Sequence, residues 1–213
     1  QNDQHGGQSI PNFDYGMALG VAKTFRKAYT NKLMEGVEDY LDTEDEKEGI
    51  DAILKQAKET TGFTPRREDG AKEFDAAVAE GLTERYQIPQ EKAARLVEGA
   101  RHRATRKADR DTYQAMEGFV HNLNTMHSRA GAQTPFSSIN YGTDTSPEGR
   151  MVIKNILLAT DAGLGHGETC IFPIHVFKVK EGVNYNEGDP NYDLFKLSCK
   201  VSAKRLFPNY IFL

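Results

Sequence analysis

The pattern that most restricts this chain runs from Thr134 to Leu213, where strand-type and helix-type apolar spacing alternate, with turn residues at each change. Thr134 to Tyr141 is strand-like, and Gly142-Thr143-Asp144-Thr145 follows as a turn. Ser146 is a natural N-cap with Pro147 at the first helical position. Met151, Val152, Ile153, Ile156, Leu157 and Ala159 supply the apolar face of a helix to about Ala162, and Gly163 is its stop. Cys170 to Val179 is dense in Ile, Val and Phe, short and β-branched enough for a buried strand. Asp189-Pro190 opens a second helix to about Phe207, and Tyr210 to Leu213 is a third strand. Strand, helix, strand, helix, strand predicts a parallel α/β sheet or barrel with right-handed crossovers.

Upstream the chain is of a different kind. Residues 1 to 16, rich in Gln, Asn, Asp, Gly and Ser, read as a loop, with Gly6-Gly7 as a turn and Ser9-Ile10-Pro11 as extended chain. Leu19, Val21, Ala22, Phe25, Ala28 and Tyr29 recur at helical spacing from Met17 to Lys32, with Lys23, Arg26 and Lys27 between them. Residues 35 to 117 favour three or four helices, broken at Gly49, Thr61-Gly62, Pro65, Gly70 and Pro89. Tyr113 to Met126 is helical, and small residues from Ser128 to Gln133 end it. The expected division is a helical region over 1–117 and a strand-helix region over 118–213.

Charge excludes some functions. Charge is blocky, with an acidic stretch at Asp42, Glu44, Asp45, Glu46 and Glu48 and a basic one at Arg95, Arg101, Arg103, Arg106, Lys107 and Arg110, both read as solvated helix faces. No aromatic residue lies between Lys92 and Asp111, and the chain's net charge is −4, so direct nucleic-acid binding is not expected. No apolar run is long enough to span a bilayer, and none resembles a secretory leader. Cys170 and Cys199 lie far apart without CxxC spacing, which fits a reducing, cytoplasmic setting and no cysteine zinc site. The start at Gln1 and the apolar finish Asn209-Tyr210-Ile211-Phe212-Leu213 give the expectation of a piece cut from a longer protein.

Little in these residues dictates chemistry. His166 and His175 lie near Cys170 in sequence, yet a half-buried structural cysteine is the commoner outcome, so both cysteines are expected to be structural. The six histidines include no HExxH pair, so a catalytic metal is not expected. Gly163-Leu164-Gly165-His166-Gly167 precedes a strand, whereas phosphate-cradling glycine loops follow one, so a helix stop is the better reading. Composition and spacing alone leave the function open.

Four sequence blocks do not. His127-Ser128-Arg129-Ala130-Gly131-Ala132-Gln133-Thr134-Pro135-Phe136-Ser137-Ser138-Ile139-Asn140-Tyr141-Gly142-Thr143-Asp144-Thr145-Ser146 resembles a signature block of the class III, anaerobic ribonucleoside-triphosphate reductases. Gly167-Glu168-Thr169-Cys170-Ile171-Phe172-Pro173-Ile174 resembles a second, and Asp189-Pro190-Asn191-Tyr192-Asp193-Leu194 with Ser202-Ala203-Lys204-Arg205-Leu206-Phe207-Pro208 a third. Asn2-Asp3-Gln4-His5-Gly6-Gly7-Gln8-Ser9 resembles the fourth. The stretches that hold them in the family's order, His121 to Leu213 and Asn2 to Ser9, cover about half the chain, while Thr30 to Asp111 adds little.

The resemblance implies the first half of a ten-stranded α/β barrel of the glycyl-radical reductase type, with a helical effector and dimer region. The family reduces ribonucleoside triphosphates to deoxyribonucleoside triphosphates. A glycyl radical generates a thiyl radical that abstracts the ribose 3'-hydrogen, and a radical-SAM activase installs the glycyl radical. No catalytic residue, metal or cofactor is expected within this chain; the glycyl radical and a structural zinc belong to the parent. Neither Cys170 nor Cys199 matches a family catalytic cysteine. The chain alone is therefore expected to be inactive. The implied partners are ribonucleoside triphosphate substrates, dNTP or ATP effectors, the activase and a second copy in a homodimer.

Lys27 is placed like the family's lysine that meets effector phosphate, and Phe136 like the aromatic that packs on the effector base. Ser128, Arg129, Gly131 and Gln133 fall where the specificity loop joins effector and substrate sites. A catalytically silent nucleotide-binding or helical interaction module that keeps these blocks is the competing reading.

Overall fold

In this computed structural model the described residues are 7–66, 71–126, 134 and 136–213. They form two compact units, Gln1–Val21 with Asp111–Leu213, and Ala22–Arg110. The described residues are mixed α/β, mostly helical, with a small parallel sheet.

The sheet unit contains β1 (Gln8–Ile10), β2 (Ser137–Tyr141), β3 (Ile174–Val179) and β4 (Asn209–Phe212), in that spatial order and all parallel. Helices α5 (Pro147–Ala162) and α6 (Tyr192–Arg205) connect β2 to β3 and β3 to β4, as the alternation of apolar spacing requires. Ser146 caps α5 by accepting from the Gly149 amide at 3.0 Å, with Pro147 beside it and Gly163 closing the helix.

Burial alternates along β2 and β3, so Ile139, Tyr141, His175, Phe177 and Val179 are buried, while Ser138, Asn140, Ile174, Val176 and Lys178 are half-buried. The α5 residues Val152, Ile153, Ile156 and Leu157 are wholly buried. Tyr141 meets Phe177 edge to face at 5.7 Å, and Phe177 contacts Tyr210 at 6.1 Å.

Four local expectations need correction. The segment read as N-terminal loop contributes β1, whose Ser9 pairs with Ser138, so the sheet has four strands and not three. The strand expected from Cys170 begins at Ile174. The amides of Ile171 and Phe172 are instead satisfied by a side chain, and Pro173 has no amide to give a ladder. Helix α6 starts at Tyr192 because Asp189 and Asn191 are engaged in the preceding turn. The helix expected over Met17–Lys32 is longer at both ends, α1 spanning Phe13–Leu41.

The second unit holds the later part of α1, α2 (Lys47–Thr61), α3 (Ala71–Tyr86) and the first part of α4 (Gln90–Thr125). Helix α4 is a single element of 36 residues, so the Tyr113–Met126 helix is its last third. Ala93, Val97, Ala100, Ala104 and Ala108 form its buried stripe at helical spacing. Against the reading of a wholly solvated basic face, Arg101 pairs with Asp75 through two bonds of 2.5 and 2.6 Å. Its guanidinium lies 5.4 Å from the Tyr29 ring centroid, and the Tyr29 hydroxyl donates to Asp75 at 2.9 Å. Burial, with the Asp75 charge beside it, pushes the Tyr29 phenol far up.

Candidate functional site

Lys27 is exposed on α1, on the side away from buried Phe25, Ala28 and Tyr29, and belongs to the helical unit. Phe136 belongs to the sheet unit, immediately before β2. Ser128, Arg129, Gly131 and Gln133 lie outside the described residues.

Phe136 is 53% exposed, yet held from behind. Its carbonyl accepts from the Gln8 amide at 3.0 Å, which joins it to β1. Its ring meets Phe172 edge to face at 5.3 Å, and a Cβ on Gly7 would come within 3.2 Å of the same ring. Glycine at position 7 thus lets the aromatic lie across the chain. An aromatic ring fixed on one side and open on the other is a stacking platform.

Asn124, in the last turn of α4, fixes the other half of this pair. Its Oδ1 accepts from the amides of Ile171 at 2.8 Å and Phe172 at 3.1 Å. Its Nδ2 donates to the carbonyls of Phe172 and Val120, each at 2.6 Å. Both donors and both acceptor positions of the amide are used, and the two amide donors assign its oxygen. Sequence pattern offers no sign of this, because the partners lie far along the chain.

At the opposite, C-terminal end of the strands, polar groups fix the β2–α5 turn. Buried Asp14 accepts through Oδ2 from the amides of Gly142, Thr143 and Asp144, at 2.9, 3.0 and 3.0 Å. Asn184 donates to the carbonyls of Gly142 and Lys178, and Asn191 to those of Gly142 and Asp144. Gly142 has φ 124°, and a Cβ there would stand 2.9 Å from the Lys178 carbonyl, so glycine is required.

Arg205, at the end of α6, donates to the carbonyls of Asp161, Ala162 and Gly167, capping α5 from its neighbour.

His175 is wholly buried, with Nδ1 at 3.0 Å from the Tyr141 hydroxyl and Nε2 at 3.4 Å from Thr160 Oγ1. The Thr160 hydroxyl donates to Ile156, leaving its oxygen to accept from Nε2–H, so Tyr141 donates to Nδ1. Burial lowers the imidazole to about 3. Its folded value lies below the ordinary 6.5, so the unfolded chain takes up the proton first. This contribution is complete above that ordinary value and is lost as pH falls toward the folded one, by about 2 kcal/mol at pH 5. Urea unfolding at pH 7 and pH 5 should therefore show a smaller acid loss in His175→Gln than in wild type; equal losses would contradict it.

Burial raises the Cys170 thiol, which disfavours the thiolate a nucleophile needs, while Cys199 is exposed on α6. Among the described residues no group of three His, Cys, Asp or Glu could hold a metal ion. No described helix is long and apolar enough to cross a membrane.

A family model described as anaerobic ribonucleoside-triphosphate reductase matches residues 1–213. Relatives of that name include a protein of Enterobacteria phage T4, 42% identical over 109 residues, which cover 51% of this chain and 18% of that protein. The Salmonella typhimurium protein is 33% identical over 140 residues, covering 65% of this chain and 20% of its own length. The Escherichia coli protein is 36% identical over 109 residues, covering 51% and 15%. The chain thus spans a fifth or less of these relatives.

Proposed function

The chain belongs to the anaerobic ribonucleoside-triphosphate reductase family, and from that premise we propose that it is the effector-reading and first half-barrel segment of such a reductase. The observation that carries this is the family match from the first residue to the last. In the full-length protein the reaction is reduction of ribonucleoside triphosphates to deoxyribonucleoside triphosphates, in the cytoplasm. The glycyl radical, its activase and the zinc act through parts of the protein other than these residues. The parallel strands β1 to β4 fit the first strands of the family's barrel.

Within this segment the role is allosteric. Lys27 meets the phosphates of a deoxynucleotide or ATP effector, and Phe136 stacks on its base. Ser128, Arg129, Gly131 and Gln133 carry effector identity toward the substrate. The exposure of Lys27 and the one-sided support of the Phe136 ring favour this assignment. A homodimer formed through helices fits α1, where a Cβ on Gly16 or Gly20 would meet no atom within 4 Å and Leu19 is exposed.

Lys27→Ala in the full-length protein should weaken deoxynucleotide binding by about 1.5 to 3 kcal/mol, through loss of a charge-assisted phosphate contact. Calorimetric titration of wild type and variant measures this, and anaerobic product formation under each effector tests the activity itself. Equal affinities would remove Lys27 from the effector site.

A further inference from the structure

Phe136 and Phe172 stand at equivalent places in adjacent parallel strands. Phe136 directly precedes β2, and Phe172 precedes β3 by one residue, Pro173. Their rings touch, so a ligand that stacks on Phe136 presses on the heads of two strands at once. What prevents the pair from yielding locally is Asn124. Its side chain holds the amide and carbonyl of Phe172 and the amide of Ile171, and ties them back to the Val120 carbonyl in α4. No other described side chain makes a hydrogen bond to those backbone groups.

We propose that Asn124 is a positioning residue for effector discrimination: it makes the Phe136–Phe172 pair a rigid platform, so that the identity of the stacked base is felt in β2, β3 and the end of α4. This rests on the effector reading above. The physical requirement is that different effectors stabilise different arrangements of one stiff element. A platform free to shift by itself would absorb the difference before it reached the sheet. Asn124 touches the backbone behind the aromatic pair and not the open face of Phe136, so its removal separates discrimination from binding.

Asn124→Asp keeps the size and both acceptor positions, but loses the two donors and sets a carboxylate against the Phe172 and Val120 carbonyls. Phe172→Leu keeps an apolar side chain and removes the edge-to-face contact, giving an independent break in the same linkage. The measurement is competition among the four ribonucleoside triphosphates in the full-length protein, with each effector in turn, beside effector affinity and thermal unfolding. The expected result is that the effector-dependent shift in product ratios falls about tenfold in both variants, with effector affinity changed only a few-fold. If both keep the wild-type ratios, or lose stability with the ratios intact, Asn124 is only structural and the proposal is overturned. If the wild type shows no effector-dependent shift, the effector reading itself fails and takes this proposal with it.

Discussion

Asp14→Ala should destabilise the sheet unit by about 4 kcal/mol. Three consecutive amides, those of Gly142, Thr143 and Asp144, converge on one buried carboxylate oxygen. Alanine leaves all three without an acceptor in a place that water does not reach freely. An amide–carboxylate bond is stronger than a neutral one, and each orphaned donor adds its own desolvation cost. Asp14→Asn is the informative companion, because its single neutral oxygen can still accept from some of these amides and should cost about half as much. Urea unfolding gives both values, and a lower midpoint at unchanged slope identifies lost stability rather than an altered denatured state. A loss below about 1 kcal/mol for alanine would mean that the turn is held by Asn184 and Asn191 alone.

Arg205→Ala should cost about 3 kcal/mol and should loosen the end of α5 before anything else. A helix leaves its last carbonyls unpaired, and here the guanidinium supplies the missing donors from the next helix. Two bonds reach Asp161, one reaches Ala162 and one reaches Gly167, with Thr169 Oγ1 at 3.3 Å as a further acceptor. Lysine restores charge but not the planar fork, so Arg205→Lys should recover only part of the loss. Hydrogen exchange at the Gly163 amide, bonded to Ala159 at 3.1 Å, reports the local effect. Unchanged protection there in Arg205→Ala would show that the bond to Ala159 suffices to hold the helix end.

What could be read from sequence followed from local chemistry. Ser146, Pro147 and Gly163 announce α5 because capping is decided within one turn of chain, and the helix occurs where they put it. The order of β2, α5, β3, α6 and β4 follows from the apolar runs and the turn and capping residues between them. β1 was legible only as extended chain, since three residues carry no period and their partner strand lies far away in sequence. The same limit explains Asp14, Asn124, His175 and Arg205. Each is an ordinary polar residue until a distant backbone group or ring closes on it. Arg101 departs from its expected solvated face for the opposite reason: charge runs normally face solvent, and its partner Asp75 sits in another helix. Lys27 and Phe136 rest on family resemblance, and their spacing by itself singles out neither.

Ile10 pairs with Ile139 although all of Ala22–Arg110 lies between them in the chain. Topologically, the helical unit is therefore an insertion between neighbouring strands, and the first ladder of the sheet closes a very long loop. Closure entropy grows only with the logarithm of loop length, so doubling or halving the insert changes it by about 0.6 kcal/mol. A parallel pair needs a crossover of only about a dozen residues, far fewer than are present. Evolution can thus lengthen or shorten the stretch between the two strands at almost no thermodynamic cost to their pairing. The penalty falls on kinetics instead: β1 must wait for a partner held at great contour distance, which makes its docking the slow and late event in assembling this sheet.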